Sequence, residues 1–181
     1  MWLLLVLPIA ACRQDMHNQP KYRPLRASTF FEDGSSARLP VEGTVARGEL
    51  REDTLLYTGM LNGEVADVFP FPVDEAVMAR GREMFNAYCS VCHGLTGEGD
   101  GLVVQRGYTR PPTLVDDRMR ETPPGYFFNV ITNGFGVMPD HAAQIKVRDR
   151  WTIVAYLRAL QLSATATIDD VPPNERGRLG P

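Results

Sequence analysis

Two long segments in the second half of the chain carry apolar side chains at the three- and four-residue spacing of an amphipathic helix. The first follows Asp74, a predicted N-cap, and its apolar positions are Val77, Gly81, Met84, Phe85 and Tyr88. The second runs from about residue 147 to residue 162, and its apolar positions are Trp151, Val154, Ala155, Tyr156, Leu157 and Leu160. Because Gly81 lies one turn before Phe85, we expect the two helices to cross closely at the glycine.

A shorter helix is predicted between them. Its apolar side consists of Tyr126, Phe127, Val130 and Ile131. Thr122 is its expected cap, Pro123 its first residue and Gly134 its end. The proline-rich residues 110–114 are expected to form an extended loop. No stretch alternates apolar and polar residues convincingly, so the fold is predicted to be mostly α, with about three main helices.

The first part of the chain has a different pattern. Residues 1–11 are almost purely apolar, but they are too short to span a bilayer as a helix and fit the apolar part of a secretory signal. Residues 13–72 are rich in Pro, Gly, Arg and acidic residues and show no sustained period. A stretch this long without clear elements is unusual within a compact domain, so it is either a tether or an arm that gains structure on a partner.

Aromatic side chains scattered through this stretch favour an arm over a tether, because a tether does not need them. They are Tyr22, Phe30, Phe31, Tyr57, Phe69 and Phe71. The expected organisation is therefore a signal peptide at residues 1–11, an extended arm at 12–72, a helical domain at 73–163 and a loose tail at 164–181. The net charge of −3 does not favour binding to nucleic acid, which is itself negatively charged.

Cys89-Ser90-Val91-Cys92-His93 is a C-x-x-C-H run, which is typical of covalent attachment of a c-type haem. Helical positions three apart share a face, so both thiols can point at one porphyrin edge and add to its vinyl groups. The imidazole of His93 then reaches the iron from the same side. A structural zinc needs four ligands, and outside the run the chain offers only Cys12, His17 and His141.

The second axial ligand is expected from residues 133–139. The glycines of this loop allow a tight turn, and Pro139 limits the backbone of Met138 to extended conformations. Met138 is therefore the predicted ligand, with His141 and an open iron as the alternatives. Ligation by histidine and methionine raises the reduction potential.

Five motifs together resemble a class I cytochrome c domain over residues 73–163. They are C-x-x-C-H at 89–93, Gly-x-x-x-aromatic at 81–85, Pro-x-Leu at 112–114, Met-Pro at 138–139, and the aromatic helix at 151–160. The resemblance implies one covalently bound haem c, held by Cys89 and Cys92 and ligated by His93 and Met138.

The same resemblance implies supporting roles for three further residues. The carbonyl of Pro112 would accept a hydrogen bond from the other ring nitrogen of His93, with Pro111 as the alternative. Arg106 and Arg110 could pair with the haem propionates, although for each one taken singly a solvated basic loop is the favoured interpretation.

Ile9-Ala10-Ala11-Cys12 resembles the lipobox of bacterial lipoproteins. The resemblance implies cleavage before Cys12, which then carries the acyl chains and accounts for the third cysteine. A free thiol is the alternative. Several acyl chains give a stable anchor, and haem attachment of this type accompanies export in bacteria. We therefore expect a lipid-anchored protein on the periplasmic face of the inner membrane.

The stretches 15–22, 40–48, 69–73, 133–140 and 148–162 are similar to the monohaem cytochrome c lipoprotein subunit of bacterial alternative complex III. The resemblance implies an electron carrier, not itself an enzyme, within a membrane quinol:electron-acceptor oxidoreductase. Its implied partners are multihaem, iron–sulfur and integral membrane subunits, with a soluble cytochrome c or a terminal oxidase as acceptor. The alternatives are a free-standing lipoprotein cytochrome, the cytochrome subunit of a dehydrogenase, and an open-iron peroxidase or gas sensor.

Overall fold

The computed structural model describes residues 19–178, and the chain divides into two compact units between Leu50 and Arg51. The predicted signal peptide and Cys12 lie outside the described residues. Between residues 19 and 178, no helix combines the length and the apolar character that a membrane crossing requires.

The first unit, as described from residue 19 to residue 50, is built from turns. An isolated bridge pairs Ala27 with Ser35, and the amide of Ser28 donates to the carbonyl of Gly34 at 2.9 Å. The rings of Phe30 and Phe31 meet edge to face with centroids 4.8 Å apart. Large apolar side chains of this unit face solvent, which is unusual for a segment that folds only on itself.

The second unit is mostly helical. Its elements in chain order are α1 (Thr54–Thr58), strands β1 (Met60–Leu61) and β2 (Glu64–Val65), α2 (Glu75–Met84), a π-helical turn (Phe85–Cys89), α3 (Ser90–His93), α4 (Leu102–Gln105), α5 (Asp117–Glu121), α6 (Pro124–Asn133) and α7 (Val147–Ser163). Two 3₁₀ turns, Ile168–Asp170 and Arg176–Arg178, follow. The prediction of a mostly helical fold is confirmed.

Helices α2 and α7 cross at Gly81, as the sequence predicts. A Cβ atom at this position would lie 2.1 Å from the carbonyl oxygen of Thr152, so only glycine permits the contact. Phe85 packs beside it, edge to face on Tyr156 with centroids 5.6 Å apart. The predicted N-cap of α2 is also present, because the carboxylate of Asp74 accepts from the amide of Val77 at 2.8 Å.

The start of α6 differs from the prediction. Pro123, not Thr122, is the N-cap, and Pro124 is the first helical residue, where a missing N–H costs nothing. The hydroxyl of Thr122 instead donates back to the carbonyl of Arg118 in α5, a helix that was not predicted. The predicted end of α6 at Gly134 is confirmed.

Residues 51–72, which we call the strap, pack on the helices of the second unit. The indole nitrogen of Trp151 donates to the carbonyl of Leu56 at 2.8 Å, and Phe69 lies edge to face on the same indole. The guanidinium of Arg148 stacks over the ring of Phe71 at 4.2 Å. The predicted boundary between arm and domain after residue 72 is therefore corrected to the boundary after Leu50.

A two-stranded hairpin inside the strap was also missed. Its turn is Asn62-Gly63, with φ of 54° and 86°, the conformation that an Asn-Gly hairpin turn requires. The hairpin docks on α6 at Gly125, whose amide donates to the carbonyl of Ala66 at 2.9 Å. A Cβ at Gly125 would lie 2.2 Å from the carbonyl oxygen of Gly59. The Asn-Gly pair is a recognised sequence signal that could have predicted this element.

The core of the second unit lies between α2, α6 and α7. Trp151 is fully buried and stacks on Phe128 with ring centroids 4.6 Å apart. Within residues 19–178, the other large side chains that are fully buried are Phe85, Phe128, Ile145, Ile153 and Val154. Strap side chains, including Phe69 and Phe71, pack against this cluster, so the strap completes the core.

Candidate haem-binding site

The C-x-x-C-H run follows α2 through the π-helical turn Phe85–Cys89 and occupies α3. A π turn is wider than an α turn and is common at functional sites. It separates Cys92 and His93 from the regular helix that carries Gly81. The helix follows from the sequence pattern, but the residues give no signal for the π turn.

Both cysteines of the run are free thiols. Cys89 is partly buried and Cys92 is exposed. Burial, followed by the charge of Cys92, raises the pKa of the Cys89 thiol to about 12, so this thiol is protonated at neutral pH. Two unpaired thiols on one short turn are what the attachment of a c-type haem requires.

A glycine loop, residues 94–101, folds back on the run. The amide of Gly99 donates to the carbonyl of His93 at 2.7 Å, and the amide of Gly101 donates to the carbonyl of Cys92 at 3.1 Å. A Cβ at Gly101 would lie 2.4 Å from the carbonyl oxygen of Val91. The loop therefore satisfies the carbonyls at the end of α3 and fixes its backbone. This role was not predicted, although the density of glycines after His93 indicates it.

His93 is half-buried, and its Nδ1 is buried without a hydrogen-bond partner. Burial lowers the pKa of His93, and the nearby charge of His141 lowers it further. The neutral imidazole that results is the form that binds a metal ion.

The hydrogen bond expected between Pro112 and His93 is not formed. Nδ1 of His93 has no partner, and Pro112 is exposed. The loop is held elsewhere, because the amide of Leu114 donates to the carbonyl of Gly97 at 2.8 Å. This attachment fastens the proline-rich segment to the glycine loop.

The two candidate propionate partners lie on exposed loop positions. Arg110 donates to the carbonyl of Glu98 at 2.8 Å, which links the proline-rich segment to the glycine loop. Arg106 is exposed directly after α4. A pairing of either residue with a propionate stays a prediction.

Met138 closes a tight hairpin. Its amide and carbonyl both bond to the backbone of Phe135 at 3.0 Å. The turn uses positive φ at Gly134 and Gly136, as the glycine content of the loop indicates. A Cβ at Gly134 would lie 2.6 Å from the carbonyl oxygen of Met138, so this glycine holds the Met138 backbone in place. Met138 is half-buried, whereas Val137 beside it is almost fully exposed, at 98%.

Two thiols, a half-buried imidazole with an unpartnered nitrogen, and a thioether on a fixed loop form a donor set that fits a haem c. Sulfur and imidazole are the side-chain groups that hold this cofactor in proteins. Between residues 19 and 178 there is no group of three or more His, Cys, Asp or Glu side chains that could hold a metal ion by itself.

Residues 76–157 match the family described as cytochrome C oxidase, cbb3-type, subunit III. No curated protein matches the chain. Among solved structures, the chain is similar to one from the Kuenenia stuttgartiensis reducing HAO-like protein complex Kustc0457/Kustc0458, with 22% identity over 54% of this chain and 49% of that chain and a TM-score of 0.45. The match thus spans about half of that protein's length.

Two cytochromes are also similar. Cytochrome cL from Hyphomicrobium denitrificans shares 22% identity over 89% of this chain and 87% of that chain, with a TM-score of 0.41. Cytochrome CL from Methylophaga aminisulfidivorans shares 21% identity over 60% of this chain and 69% of that chain, with a TM-score of 0.38. Because these TM-scores are below 0.5, the assignment of the domain to a family rests on the family match and on the residues of the site.

The family match and the donor set define the class: residues 76–157 form a cytochrome c domain. This domain carries a covalently bound haem c, and its function is electron transfer. The identification concerns the domain, because the matched residues make up less than half of the chain.

Proposed function

We propose that this cytochrome is the lipid-anchored, single-haem electron-transfer subunit of a bacterial alternative complex III. In this role it receives electrons from a multihaem subunit and passes them to a soluble cytochrome c or a terminal oxidase at the periplasmic face of the inner membrane. Cys89 and Cys92 hold the haem, His93 and Met138 ligate the iron, and Cys12 carries the lipid.

The haem supplies a one-electron iron couple. The protein contributes a rigid site: the glycine loop fixes the backbone of Cys92 and His93, and the Gly134 contact fixes Met138. A preorganised ligand set changes little between oxidation states, which keeps the reorganisation cost of electron transfer low. Arg106 is proposed to pair with a propionate, and Pro112 lies on the loop beside the site.

The observation that carries the membership in a larger complex is the exposure of apolar side chains in the first unit. Tyr22 is 81% exposed, Phe30 80%, Leu39 76% and Val41 74%. A segment that exposes so many large apolar groups is typical of a surface that is covered by a partner. The resemblance of residues 15–22 and 40–48 to the complex III subunit falls in this same unit, so the partner we propose is the rest of that complex.

The decisive experiment is purification of the full-length protein from native membranes in mild detergent, followed by identification of the proteins that stay bound. We expect multihaem, iron–sulfur and integral membrane subunits to co-purify. A double substitution, Phe30→Ser with Leu39→Ser, should release them, whereas Ile168→Ser, at an exposed apolar residue of the tail, should not. A chain that is always recovered alone would leave a free-standing carrier as the better account.

The lipid anchor is tested separately by mass spectrometry of the mature N-terminus. An acylated Cys12 is expected, and Cys12→Ala should appear in the soluble periplasmic fraction with its haem absorption unchanged. An unmodified thiol, or a mature chain that begins at another residue, contradicts the anchor without affecting the assignment of the haem ligands.

A further inference from the structure

His141 is a second imidazole at the haem site with no role in the assigned ligand set. Its Nδ1 is buried without a hydrogen-bond partner, like Nδ1 of His93. Among the side-chain nitrogen and oxygen atoms of residues 19–178, only these two and Nε of Arg150 share this property. A buried imidazole nitrogen without a hydrogen-bond partner lowers the stability of the fold, so its presence in the interior indicates a functional role.

The backbone of His141 is fixed independently of Met138. Its amide donates to the carbonyl of Ile131 in α6 at 2.9 Å, and its carbonyl accepts from the amide of Ile145 at 2.9 Å. Met138 is held by a different set of bonds, those of the hairpin with Phe135. A substitution at Met138 therefore leaves the anchors of His141 intact.

The two histidines lie near each other in the site. The charge of His141 contributes to the lowered pKa of His93, which shows that the imidazoles are within electrostatic reach. His141 follows Met138 by three residues, so their Cα atoms are separated by at most about 11 Å of chain. His141 thus lies on the chain segment that directly follows the proposed ligand Met138.

We propose that His141 is a reserve axial ligand, which binds the haem iron through its buried imidazole when the bond between iron and Met138 is broken. The proposal rests on the proposed ligation by His93 and Met138. The step would exchange one neutral ligand for another: the bond between iron and the thioether would break, a bond between iron and the imidazole would form, and any proton that the imidazole carried beforehand would go to solvent, with no electron transferred. The exchange keeps the iron six-coordinate and closed to small ligands.

The test uses the full chain with its haem attached and four variants: His141→Ala, Met138→Ala, Met138→Ala with His141→Ala, and Met138→Ala with Lys146→Ala. Lys146 is the matched control, because it is an exposed basic residue that follows the same loop and could in principle supply an amine ligand. The readouts are the near-infrared sulfur-to-iron band, the spin state by electron paramagnetic resonance, and carbon monoxide affinity of the reduced protein.

We expect His141→Ala to keep the near-infrared band and Met138→Ala to lose it while remaining low-spin. The Met138/Lys146 double variant should also remain low-spin, and the Met138/His141 double variant should become high-spin. If His141 occupies the iron in nine-tenths of Met138→Ala molecules, its removal should tighten carbon monoxide binding about tenfold. His141→Phe, which fills the same space without a ligand, should reproduce the result in the Met138→Ala background and so separates ligation from packing.

A Met138→Ala protein that is already high-spin would overturn the proposal, as would a Met138/His141 double variant that stays low-spin. If the unmodified protein lacks the near-infrared band and His141→Ala makes it high-spin, His141 is the resident ligand and the reserve role is wrong. The electron-carrier function would survive that result, because it is tested by co-purification and not by ligand identity.

Discussion

The indole N–H of Trp151 donates a hydrogen bond to the backbone carbonyl of Leu56 at 2.8 Å. Trp151 lies at the centre of the core on α7, and Leu56 belongs to the strap, 95 residues earlier in the chain. This bond attaches a segment without sustained periodicity to the best-packed helix of the cytochrome domain. The strap is consequently part of the second unit, which begins at Arg51.

We predict that Trp151→Phe loosens the strap while keeping the domain folded. Phenylalanine retains an aromatic ring to stack on Phe128 but cannot donate to the Leu56 carbonyl. Amide exchange in α1 should accelerate about fivefold, which corresponds to a hydrogen bond of about 1 kcal/mol. Hydrogen exchange with mass spectrometry measures the exchange rates of the α1 amides. The amides of the second half of α7 are the internal control. Equal acceleration in both segments would show that the substitution acts on the whole core.

Gly81→Ala should severely destabilise the domain. The added methyl group would lie 2.1 Å from the Thr152 carbonyl, a backbone atom that cannot move without separating α2 from α7. We expect a loss of about 3 kcal/mol or more in the free energy of unfolding, measured by guanidinium titration of the ferric protein.

Gly177→Ala is the matched control for this substitution. No atom lies within 4 Å of a Cβ built at Gly177, and its change in unfolding free energy should stay within about 0.5 kcal/mol. Similar unfolding midpoints for the two variants would contradict the close crossing of α2 and α7.

Asp149→Asn should reduce thermal stability in a pH-dependent way. Arg80 donates to both carboxylate oxygens of Asp149 at 2.9 Å, and these hydrogen bonds lower the pKa of Asp149 in the folded state. The ionised carboxylate therefore stabilises the fold above the unfolded pKa of about 4, and this contribution is lost as the pH falls through the lower folded value.

The measurement compares the melting temperatures of the unmodified protein and Asp149→Asn between pH 7 and pH 3. The variant should melt a few degrees lower at pH 7, and the difference should shrink below about pH 4. Asp169→Asn is the control, since Asp169 is 88% exposed in its ion pair with Arg176. A difference that is independent of pH would show that packing, not the carboxylate charge, is responsible.

Gly134→Ala should weaken ligation by Met138. The position has φ of 76°, and a Cβ there would lie 2.6 Å from the Met138 carbonyl oxygen, so the hairpin must shift. We expect the near-infrared sulfur-to-iron band of the ferric protein to weaken. Gly136→Ala is matched to it, because Gly136 lies in the same turn with φ of 59° but has open space around its Cα. If both variants lose the near-infrared band equally, strain at the positive φ angles, and not the contact with the Met138 carbonyl, is what weakens ligation by Met138.

Local features of the chain were predicted well where neighbouring residues decide them. Asp74 as a cap, Gly134 as a helix end and α7 from residue 147 each follow from a few adjacent side chains. The crossing at Gly81 was also predictable, because a small residue beside an aromatic on a helical face leaves few other ways to pack. The Asn62-Gly63 hairpin could have been predicted, since its signal is equally local.

The sequence by itself determined which cofactor the domain can carry, because two cysteines and a histidine at fixed short spacing, Cys89, Cys92 and His93, are the signature of a covalently bound haem c. Only the tertiary structure decided where the domain begins and which atoms surround the ligands. The strap is held by Trp151 and Gly125, the glycine loop satisfies the carbonyls of α3, and His141 faces inward. The density of glycines after His93 is a local signal for the glycine loop, but the strap contacts join residues far apart in the chain, so no local pattern encodes them.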